Sequence, residues 1–276
     1  LGRKKEMKKF WRLAATATLA ISMLAACGAE KETKQQEQNI TVEENSDTAF
    51  PVTVTDALGK EITLEEAPDR IVSLTPSNTE ILFELGLDEE VVGVNDNDNY
   101  PEQVADKTRI GGIEYNIETI ISLQPDVVFA HESSMFTFES AIEQLEASGV
   151  TVFVVDNAET FDETYETIEV IGTLTGKDEE ADKIIASIQS KLADIQAKLQ
   201  GVSPKTAFMV VGASPDIYVV GQNTFMNEML KEINVDNAVK EEGWPLYSAE
   251  QFITANPDSI VFTYAGDDET IKNNRA

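Results

Sequence analysis

The sequence predicts an α/β fold of two lobes, each with a central parallel-type sheet flanked by helices, joined by one long helix. Three observations support this prediction. Short apolar runs alternate with helical patterns between residues 71 and 262, as in folds built on parallel sheets. An amphipathic helical pattern over residues 178–199 interrupts that alternation. A segment of the first half also recurs in the second half, as expected of two related lobes.

The first 26 residues have the layout of a secretory signal peptide. Basic residues up to Arg12 precede an apolar run from Leu13 to Ala26, which is shorter than the roughly 18 residues of a membrane-spanning helix. Leu24-Ala-Ala-Cys27 resembles the bacterial lipobox, whose cysteine is lipidated. Cys27 is the only cysteine, so it cannot form an intramolecular disulfide. We expect a signal peptide over residues 1–26, a lipid on Cys27 and a disordered polar tether over residues 27–50; the alternatives are a free buried thiol or a short membrane anchor.

The charge of the chain limits its partners. The formal net charge is −29, and the leader contributes +5, so the remainder carries −34. Such a surface repels nucleic acid and anionic lipid, and it disfavours a strongly anionic ligand. We therefore expect no nucleic-acid partner and membrane contact through the lipid alone.

Enzyme motifs are absent from the sequence. It contains no G-x-S-x-G, no H-E-x-x-H and no Walker A pattern, and one histidine without a second thiol excludes the usual zinc sites. We therefore expect a protein that is not an enzyme and has no cofactor of its own.

The first lobe is expected over residues 51–160. It opens with a hairpin formed by Val52–Thr55 and Ile62–Leu64 around a glycine turn. Short apolar runs then predict buried strands, and the intervening segments predict helices. The predicted strands are Ile71–Leu74, Val91–Val94, Val127–Ala130 and Val152–Val155, and the predicted helices are Asn78–Leu85, Ile117–Leu123 and Phe138–Ala147. Ser77-Asn-Thr-Glu80 is typical of a capping box with Ser77 as the cap.

Two helical segments, Phe161–Leu174 and Asp178–Leu199, fill the inter-lobe region over residues 161–200. The second lobe is expected over residues 201–276. Its predicted strands are Ala207–Val211 and Ser259–Phe262, and its predicted helices are Thr224–Ile233 and Ala249–Ala255. Because the sequence stops at Ala276, soon after the last strand, we expect this lobe to lack its final elements.

Residues 115–129 and 247–261 form an internal repeat at an offset of 132. The two copies share Tyr, Glu, Ile, Pro and Asp at matching positions. Asn116 and Ser248 can each cap a helix, and the Pro-Asp pair ends that helix before a strand. Chance similarity is the alternative, because Pro-Asp is common between helix and strand. Related lobes would enclose a ligand in the groove between them.

Several motifs from Arg70 to the end of the chain occur together in one known family. They are RIVSLTPSNTEILFELG at residues 70–86, Val92-Gly-Val, Tyr100-Pro, Gly111-Gly112, Asn116-Ile-Glu118, Gln124-Pro-Asp126, the long helix and WPLYSAE at residues 244–250. In this order they resemble the substrate-binding proteins of ABC importers for vitamin B12, ferric siderophores and haem, with the cobalamin binders most similar. The resemblance implies a non-catalytic, monomeric receptor with a rigid inter-lobe helix, which delivers its ligand to a permease and the permease's ATPase.

The resemblance also assigns residues to roles. Glu118 and Glu250, which the internal repeat pairs, match glutamates that dock onto arginines of the permease. The alternative is that each glutamate only favours the N-terminus of its helix. The ligand-cleft positions correspond to Asn97, Gly112, His131 and Trp244. A broad indole face suits a planar macrocycle.

Asn97 and Gly112 depart from the family pattern, because the best-known cobalamin binder has aromatic residues there. Four tyrosines could compensate: Tyr100, Tyr115, Tyr218 and Tyr247. This departure leaves ferric siderophore and haem as alternatives to a corrinoid.

Three further residues lie where α/β folds bind ligands. His131 follows the strand Val127–Ala130, so it could contact the ligand or coordinate its metal axially; the alternative is a structural histidine. Ser77 and Asn78 lie at a strand-to-helix turn whose N–H groups can hold ligand oxygens.

These observations predict an extracytoplasmic lipoprotein on the outer face of a Gram-positive cytoplasmic membrane. Its expected ligand is a metal-containing macrocycle or chelate. A surface adhesin or scaffold with the same fold is the alternative from another functional class, since a fold does not determine function.

Overall fold

The computed structural model describes residues 50–212 and 216–263, which form two five-stranded sheets, a hairpin and flanking helices. The described residues cluster as one compact unit. The expectations for the signal peptide, Cys27, the tether and the final residues lie outside the described ranges. Within those ranges, no helix combines the length and hydropathy needed to cross a bilayer.

A small hairpin opens the described chain. Strand β1 (Val52–Thr55) pairs antiparallel with β2 (Glu61–Leu64). Asp56 shapes the turn, because its Oδ1 accepts hydrogen bonds from the backbone N–H groups of Leu58 and Lys60, both at 2.9 Å. The predicted hairpin is confirmed.

The first sheet is parallel throughout. In chain order its elements are β3 (Ile71–Ser73), α1 (Pro76–Glu84), β4 (Val91–Val94), β5 (Thr108–Arg109), α2 (Ile117–Ser122), β6 (Val127–His131), α3 (Met135–Ala147) and β7 (Val152–Val155). The strand order is β5-β4-β3-β6-β7. Only β5 was not expected, because two exposed residues carry no hydrophobic pattern.

Both faces of this sheet are covered, which explains the continuous apolar strands. On one face Ile71 and Phe129 pack with the hairpin and α1. On the other face Val72 and Val128 pack with residues of α2 and α3. The strands that lead to the carboxyl edge of the sheet are therefore packed against a hydrophobic core on each face.

The predicted capping box at residues 77–80 is wrong. Helix α1 begins at Pro76 with Thr75 as its N-cap, and no side chain caps it. Proline is favoured at the first helical position because it lacks the N–H that would go unsatisfied there. Ser77 is therefore already inside the helix.

Two helices, α4 (Phe161–Thr175) and α5 (Asp178–Lys198), follow the first sheet. Gly176 ends α4 in the left-handed conformation, at φ 71°. The helices approach closely, since a Cβ on Gly172 would lie 2.7 Å from the Cβ of Ala181. Ala181 and Ile185 near the start of α5 are buried in the first core, whereas the rest of α5 is only half-buried or exposed. The predicted long helix is confirmed.

The second sheet is mixed. Its elements are β8 (Lys205–Gly212), β9 (Ile217–Val219), α6 (Phe225–Glu232), β10 (Val235–Asn237), β11 (Leu246–Tyr247), α7 (Ala249–Ala255) and β12 (Ser259–Phe262). Strands β10 and β12 run parallel to β8. Strand β9 is antiparallel to β8, and β11 is antiparallel to β9. The connection from β8 to β9 is too short for a parallel crossover. The α/β class is confirmed, with antiparallel strands in the second sheet.

Helix α6 contacts both α4 and α5. The ring of Phe225, at its start, lies 5.1 Å from the ring of Phe161 at the start of α4. Near its other end, Glu232 accepts a hydrogen bond from Gln196 Nε2 of α5 at 2.6 Å. The second lobe is thus attached to the two helices at both ends of α6.

The internal repeat corresponds to a helix–turn–strand unit in each lobe. Helices α2 and α7 are capped by Asn116 and Ser248, whose side chains each accept a backbone N–H three residues on. After each helix, a residue takes a left-handed conformation: Gln124 at φ 48° and Asn256 at φ 43°. The two copies therefore share backbone geometry as well as sequence.

The shared aspartates explain the Pro-Asp pattern. Asp126 Oδ2 accepts the backbone N–H of Arg70 at 2.9 Å. Asp258 Oδ2 likewise accepts that of Thr206 at 2.8 Å. Each carboxylate fastens the start of one strand to the start of the parallel strand beside it, β6 to β3 and β12 to β8.

Candidate functional site

The carboxyl ends of the first sheet's strands share one edge, which is where α/β folds place ligands. Four predicted residues lie in the segments that follow these ends: Ser77 after β3, Asn97 after β4, Gly112 after β5 and His131 at the end of β6. Residues that are far apart in sequence are thereby gathered at one edge.

An open groove of about 530 Å³ lies at this edge, lined by Asp96, Asn97, Gly112, Ile113 and Glu114. A Cβ on Gly112 would lie 3.3 Å from Asn97 Nδ2, so Asn97 and Gly112 are direct neighbours. The absence of a side chain at position 112 keeps the floor of the groove open.

Hydrogen bonds hold the two loops of the groove together. The backbone N–H of Asp96 donates to the carbonyl of Gly111 at 2.9 Å. The N–H of Gly111 donates back to Asp96 Oδ1 at 3.2 Å. Asn95 Oδ1 accepts the N–H of Asn97 at 2.8 Å. The groove is therefore a defined feature and not a gap between unconnected loops.

A buried carboxylate supports these loops from below. Asp98 is 3% exposed, and its Oδ2 accepts hydrogen bonds from Thr79 Oγ1 at 2.8 Å and from the N–H of Asn95 at 3.1 Å. Burial raises the pKa of Asp98, against the lowering effects of these hydrogen bonds and of Arg109. Arg109 Nη1 donates to the carbonyls of Asn95 and Asp98 at 2.7 and 2.9 Å.

Ser77 and Asn78 differ in exposure. Ser77 is exposed in the first turn of α1. Asn78 is fully buried, and its Nδ2 donates to the carbonyl of Ala130 at 2.9 Å. The side chain of Asn78 thus ties α1 to β6, and in this conformation it presents nothing to the surface.

Tyr115 is held by its own lobe. Its hydroxyl donates to the carbonyl of Leu74 at 2.6 Å, and its ring lies 4.3 Å from that of Phe138. Burial is the main cause that raises the pKa of Tyr115. The residue braces the end of β3 against α3.

Tyr247 is the repeat counterpart of Tyr115, and it also packs on aromatic rings. Its ring lies 5.4 Å from that of Phe208 and 5.9 Å from that of Phe252. Its hydroxyl donates to Glu241 Oε2 at 2.6 Å. Burial and this carboxylate raise the pKa of Tyr247 to about 12. The shared tyrosine of the repeat thus packs on core aromatic rings in each lobe.

His131 is half-buried at the end of β6. Its Nδ1 accepts the backbone N–H of Ser133 at 3.2 Å, which assigns the proton of the neutral ring to Nε2. Burial lowers the pKa of His131, opposed by the charges of Glu132 and Asp156. Coordination of a ligand's metal by Nε2 would require the other tautomer, in which the proton lies on Nδ1. Among the described residues, no cluster of three His, Cys, Asp or Glu side chains could hold a metal ion.

Two apolar residues at the edge were missed by sequence reasoning. Ile113 is 81% exposed next to Gly112, and Phe136 is fully exposed just after the end of β6. Both are large apolar side chains within segments that follow strands, and that position could have identified them. They give this edge an apolar surface that the polar residues around it do not provide.

Three predicted aromatic residues lie elsewhere. Tyr100 lines a separate cavity of about 340 Å³ with residues of α1, including Phe83. In the second lobe, Tyr218 on β9 is exposed opposite Leu246 of β11. Trp244, just before β11, is 52% exposed. The structure therefore does not bring Tyr100 into the groove beside Asn97.

Glu118 and Glu250 occupy equivalent positions. Each is the second residue of its helix, α2 or α7, and each is exposed. Both carboxylates are therefore available to a partner.

Comparison with known proteins identifies the family. The family model for periplasmic binding proteins matches residues 71–276. The chain is 43% identical over 261 residues to the uncharacterized ABC transporter substrate-binding lipoprotein YvrC of Bacillus subtilis, covering 93% of this chain and 82% of that protein. It is 28% identical to the cobalamin-binding protein of Halobacterium salinarum, covering 79% of this chain and 60% of that relative's length.

A solved structure agrees with these sequence matches. A protein of Staphylococcus epidermidis described as a possible iron-binding periplasmic solute-binding protein is 34% identical, with a TM-score of 0.69, covering 75% of this chain and 83% of that chain. The chain therefore belongs to the periplasmic binding protein family, the solute-binding proteins of ABC transporters, which are not enzymes.

Proposed function

We propose that this chain is the lipid-anchored receptor of an ABC importer and that its ligand is a metal-containing macrocycle or chelate, with a corrinoid such as cobalamin as first choice. The groove at the carboxyl edge of the first sheet is the observation that carries the proposal. It combines an open floor at Gly112 with polar groups on Asn97 and an exposed apolar side chain on Ile113, the combination found in small-molecule sites.

The corrinoid is favoured by the cobalamin-binding relative of Halobacterium salinarum. A ferric siderophore or haem is the second candidate, because the Staphylococcus epidermidis structure is described as possibly iron-binding and is 34% identical. In both cases the second wall of the site is Trp244 with Tyr218, two exposed aromatic residues in the described part of the second lobe.

The proposed mechanism needs no chemical step. A lipid on Cys27 holds the monomeric receptor outside the cytoplasmic membrane, and residues 28–50 give it reach. The ligand binds between the lobes. Glu118 and Glu250 then seat the complex on arginines of the permease, because paired exposed charges orient a partner. The cytoplasmic ATPase drives transport.

The ligand can be tested through Trp244. Trp11 lies in the proposed signal peptide, so the mature chain contains one tryptophan. Its fluorescence should be quenched saturably by cyanocobalamin at micromolar concentration, and the Trp244→Phe variant should give no signal. Quenching by a ferric chelate or haem alone would identify the second candidate, an iron chelate or haem, as the ligand. If no probe binds to the folded protein, the receptor proposal is wrong and the adhesin alternative is favoured.

The docking proposal has its own test. Glu118→Lys with Glu250→Lys should abolish ligand uptake in cells while ligand binding by the purified receptor stays unchanged. Glu89→Lys is the matched control, since Glu89 is exposed at the opposite end of the first sheet. Normal uptake by the double variant would refute the docking role.

A further inference from the structure

The charge of the proposed binding edge carries an inference about the ligand. Five segments follow the strands of the first sheet: residues 74–77, 95–100, 110–115, 131–136 and 156–160. They contain six acidic residues and no lysine or arginine. The six are Asp96, Asp98, Glu114, Glu132, Asp156 and Glu159.

The base that adjoins these segments, Arg109, offsets one of the six acids and leaves five. Arg109, the last residue of β5, donates Nη1 to the carbonyls of Asn95 and Asp98, and it donates Nη2 to the carbonyl of Val104 at 3.3 Å. Its positive charge is matched by the buried carboxylate of Asp98. His131 adds no charge at neutral pH, because burial lowers its pKa.

In the described part of the second lobe, the corresponding segments also carry a net negative charge. Asp216 lies just before β9, at the carboxyl end of β8, and Glu241 and Glu242 follow β10. Lys240 is the base among them, and its Nζ donates to the carbonyl of Asn237 at 2.7 Å. Among the described residues, the segments on both sides of the proposed site therefore carry more acidic than basic side chains.

One further observation at the first edge concerns the ligand itself. Ile113 and Phe136 expose large apolar side chains there. A site with apolar contacts and surplus negative charge favours a ligand that brings an apolar face and no negative charge.

We infer, on the basis of the proposed function, that the ligand carries a net charge of zero or above and that the site rejects polyanionic metal chelates. Neutral corrinoids and neutral or cationic ferric hydroxamates fit this class. Ferric tricatecholates and propionate-bearing haem do not. Repulsion at both lobes opposes the polyanions, and no free base in the five segments of the first edge compensates for it.

The test uses four probes at physiological salt: cyanocobalamin, a neutral ferric trihydroxamate, a trianionic ferric tricatecholate and ferric haem. We expect at least one neutral probe to bind, with an affinity that salt does not change. The tricatecholate should bind at least about 100-fold more weakly, and its affinity should rise with salt as repulsion is screened. Equal affinity for neutral and trianionic probes would overturn the inference while leaving the receptor proposal intact. If no probe binds, both are overturned.

A charge reversal tests the same inference within the groove. Glu114→Lys should raise the ratio of tricatecholate affinity to neutral-probe affinity about threefold, as expected for a reversed charge about 10 Å from a trianion in water at physiological salt. The ratio is the readout because Glu114 lines the groove, and a change in groove shape alters both affinities. Glu89→Lys makes the same charge change at the opposite end of the sheet and should leave both affinities unchanged. An equal effect of the two variants would show that net charge, and not the groove, governs binding.

Discussion

The contact between α4 and α5 leads to a quantitative prediction for Gly172→Ala. A Cβ at position 172 would lie 2.7 Å from Ala181 Cβ and 3.2 Å from the carbonyl oxygen of Lys177. Favourable carbon–carbon contacts lie at about 3.5–4.0 Å, so the two helices must separate by about 1 Å. Such overpacking costs about 1–3 kcal/mol, against a gain of about 0.5–1 kcal/mol for alanine over glycine within a helix.

The net loss in free energy of unfolding is therefore about 0.5–2 kcal/mol. For a protein of this size each kcal/mol lowers Tm by about 2–4 °C, and we expect Tm to fall by about 1–8 °C. Urea unfolding followed by far-UV circular dichroism measures the free energy, and a thermal scan measures Tm.

A double-mutant cycle separates the clash from other effects. Ala181→Gly alone should cost about 2 kcal/mol, through glycine's backbone entropy and the lost methyl burial. Gly172→Ala combined with Ala181→Gly removes the overlap, so the double variant should lose about 1–3 kcal/mol less free energy of unfolding than the sum of the two single losses. Additivity within about 0.5 kcal/mol would refute the close approach of the two helices.

Three further predictions concern single residues. Tyr115→Phe should lower the free energy of unfolding by about 1 kcal/mol, because it removes a part-buried hydrogen bond, and urea titration should show a smaller loss for the more exposed hydroxyl of Tyr247→Phe. The pKa of Asp258 is lowered mainly by the backbone N–H of Thr206. Its contribution to stability is therefore present above the ordinary pKa of 3.8 and is lost as pH falls through the lower pKa of the folded state. Asp258→Ala should flatten the acid side of the stability–pH profile, and an unchanged profile there would contradict this. His131, the sole histidine, should titrate below 6.5 by NMR, so acidification through that range destabilises the fold; a folded pKa above this value would contradict the burial of its ring.

Hydrophobic pattern was sufficient to predict most of the architecture. Buried strands such as β6 appear in the sequence as short apolar runs. Amphipathic helices such as α5 appear as apolar residues at helical spacing, because one face of the helix contacts the core. The short strands β5, β9, β10 and β11 were missed, because each has only two or three residues and shows no period. The start of α1 was misplaced because Pro76 and the capping pattern at Ser77 gave competing signals.

The site was predictable only in part. The topology of a parallel sheet brings strand ends together, so the common edge of Ser77, Asn97, Gly112 and His131 followed from the order of the elements. The burial of Asn78 and the separate position of Tyr100 depend on which way a side chain leaves a loop, and no periodic pattern encodes that direction. Phe136 was missed because the predicted helix started two residues after it, at Phe138.

The attachment of α6 at both ends has a consequence for how loaded and empty receptors compete. The contacts of Phe161 with Phe225 and of Gln196 with Glu232 attach the two ends of α6 to α4 and α5, so we expect the second lobe to rotate little relative to these helices. The spacing of Glu118 and Glu250 should then hardly differ between empty and occupied forms. On the proposed docking through Glu118 and Glu250, an empty receptor would occupy the permease almost as readily as a full one. Overproduction of this protein should therefore slow uptake of the ligand by the cell.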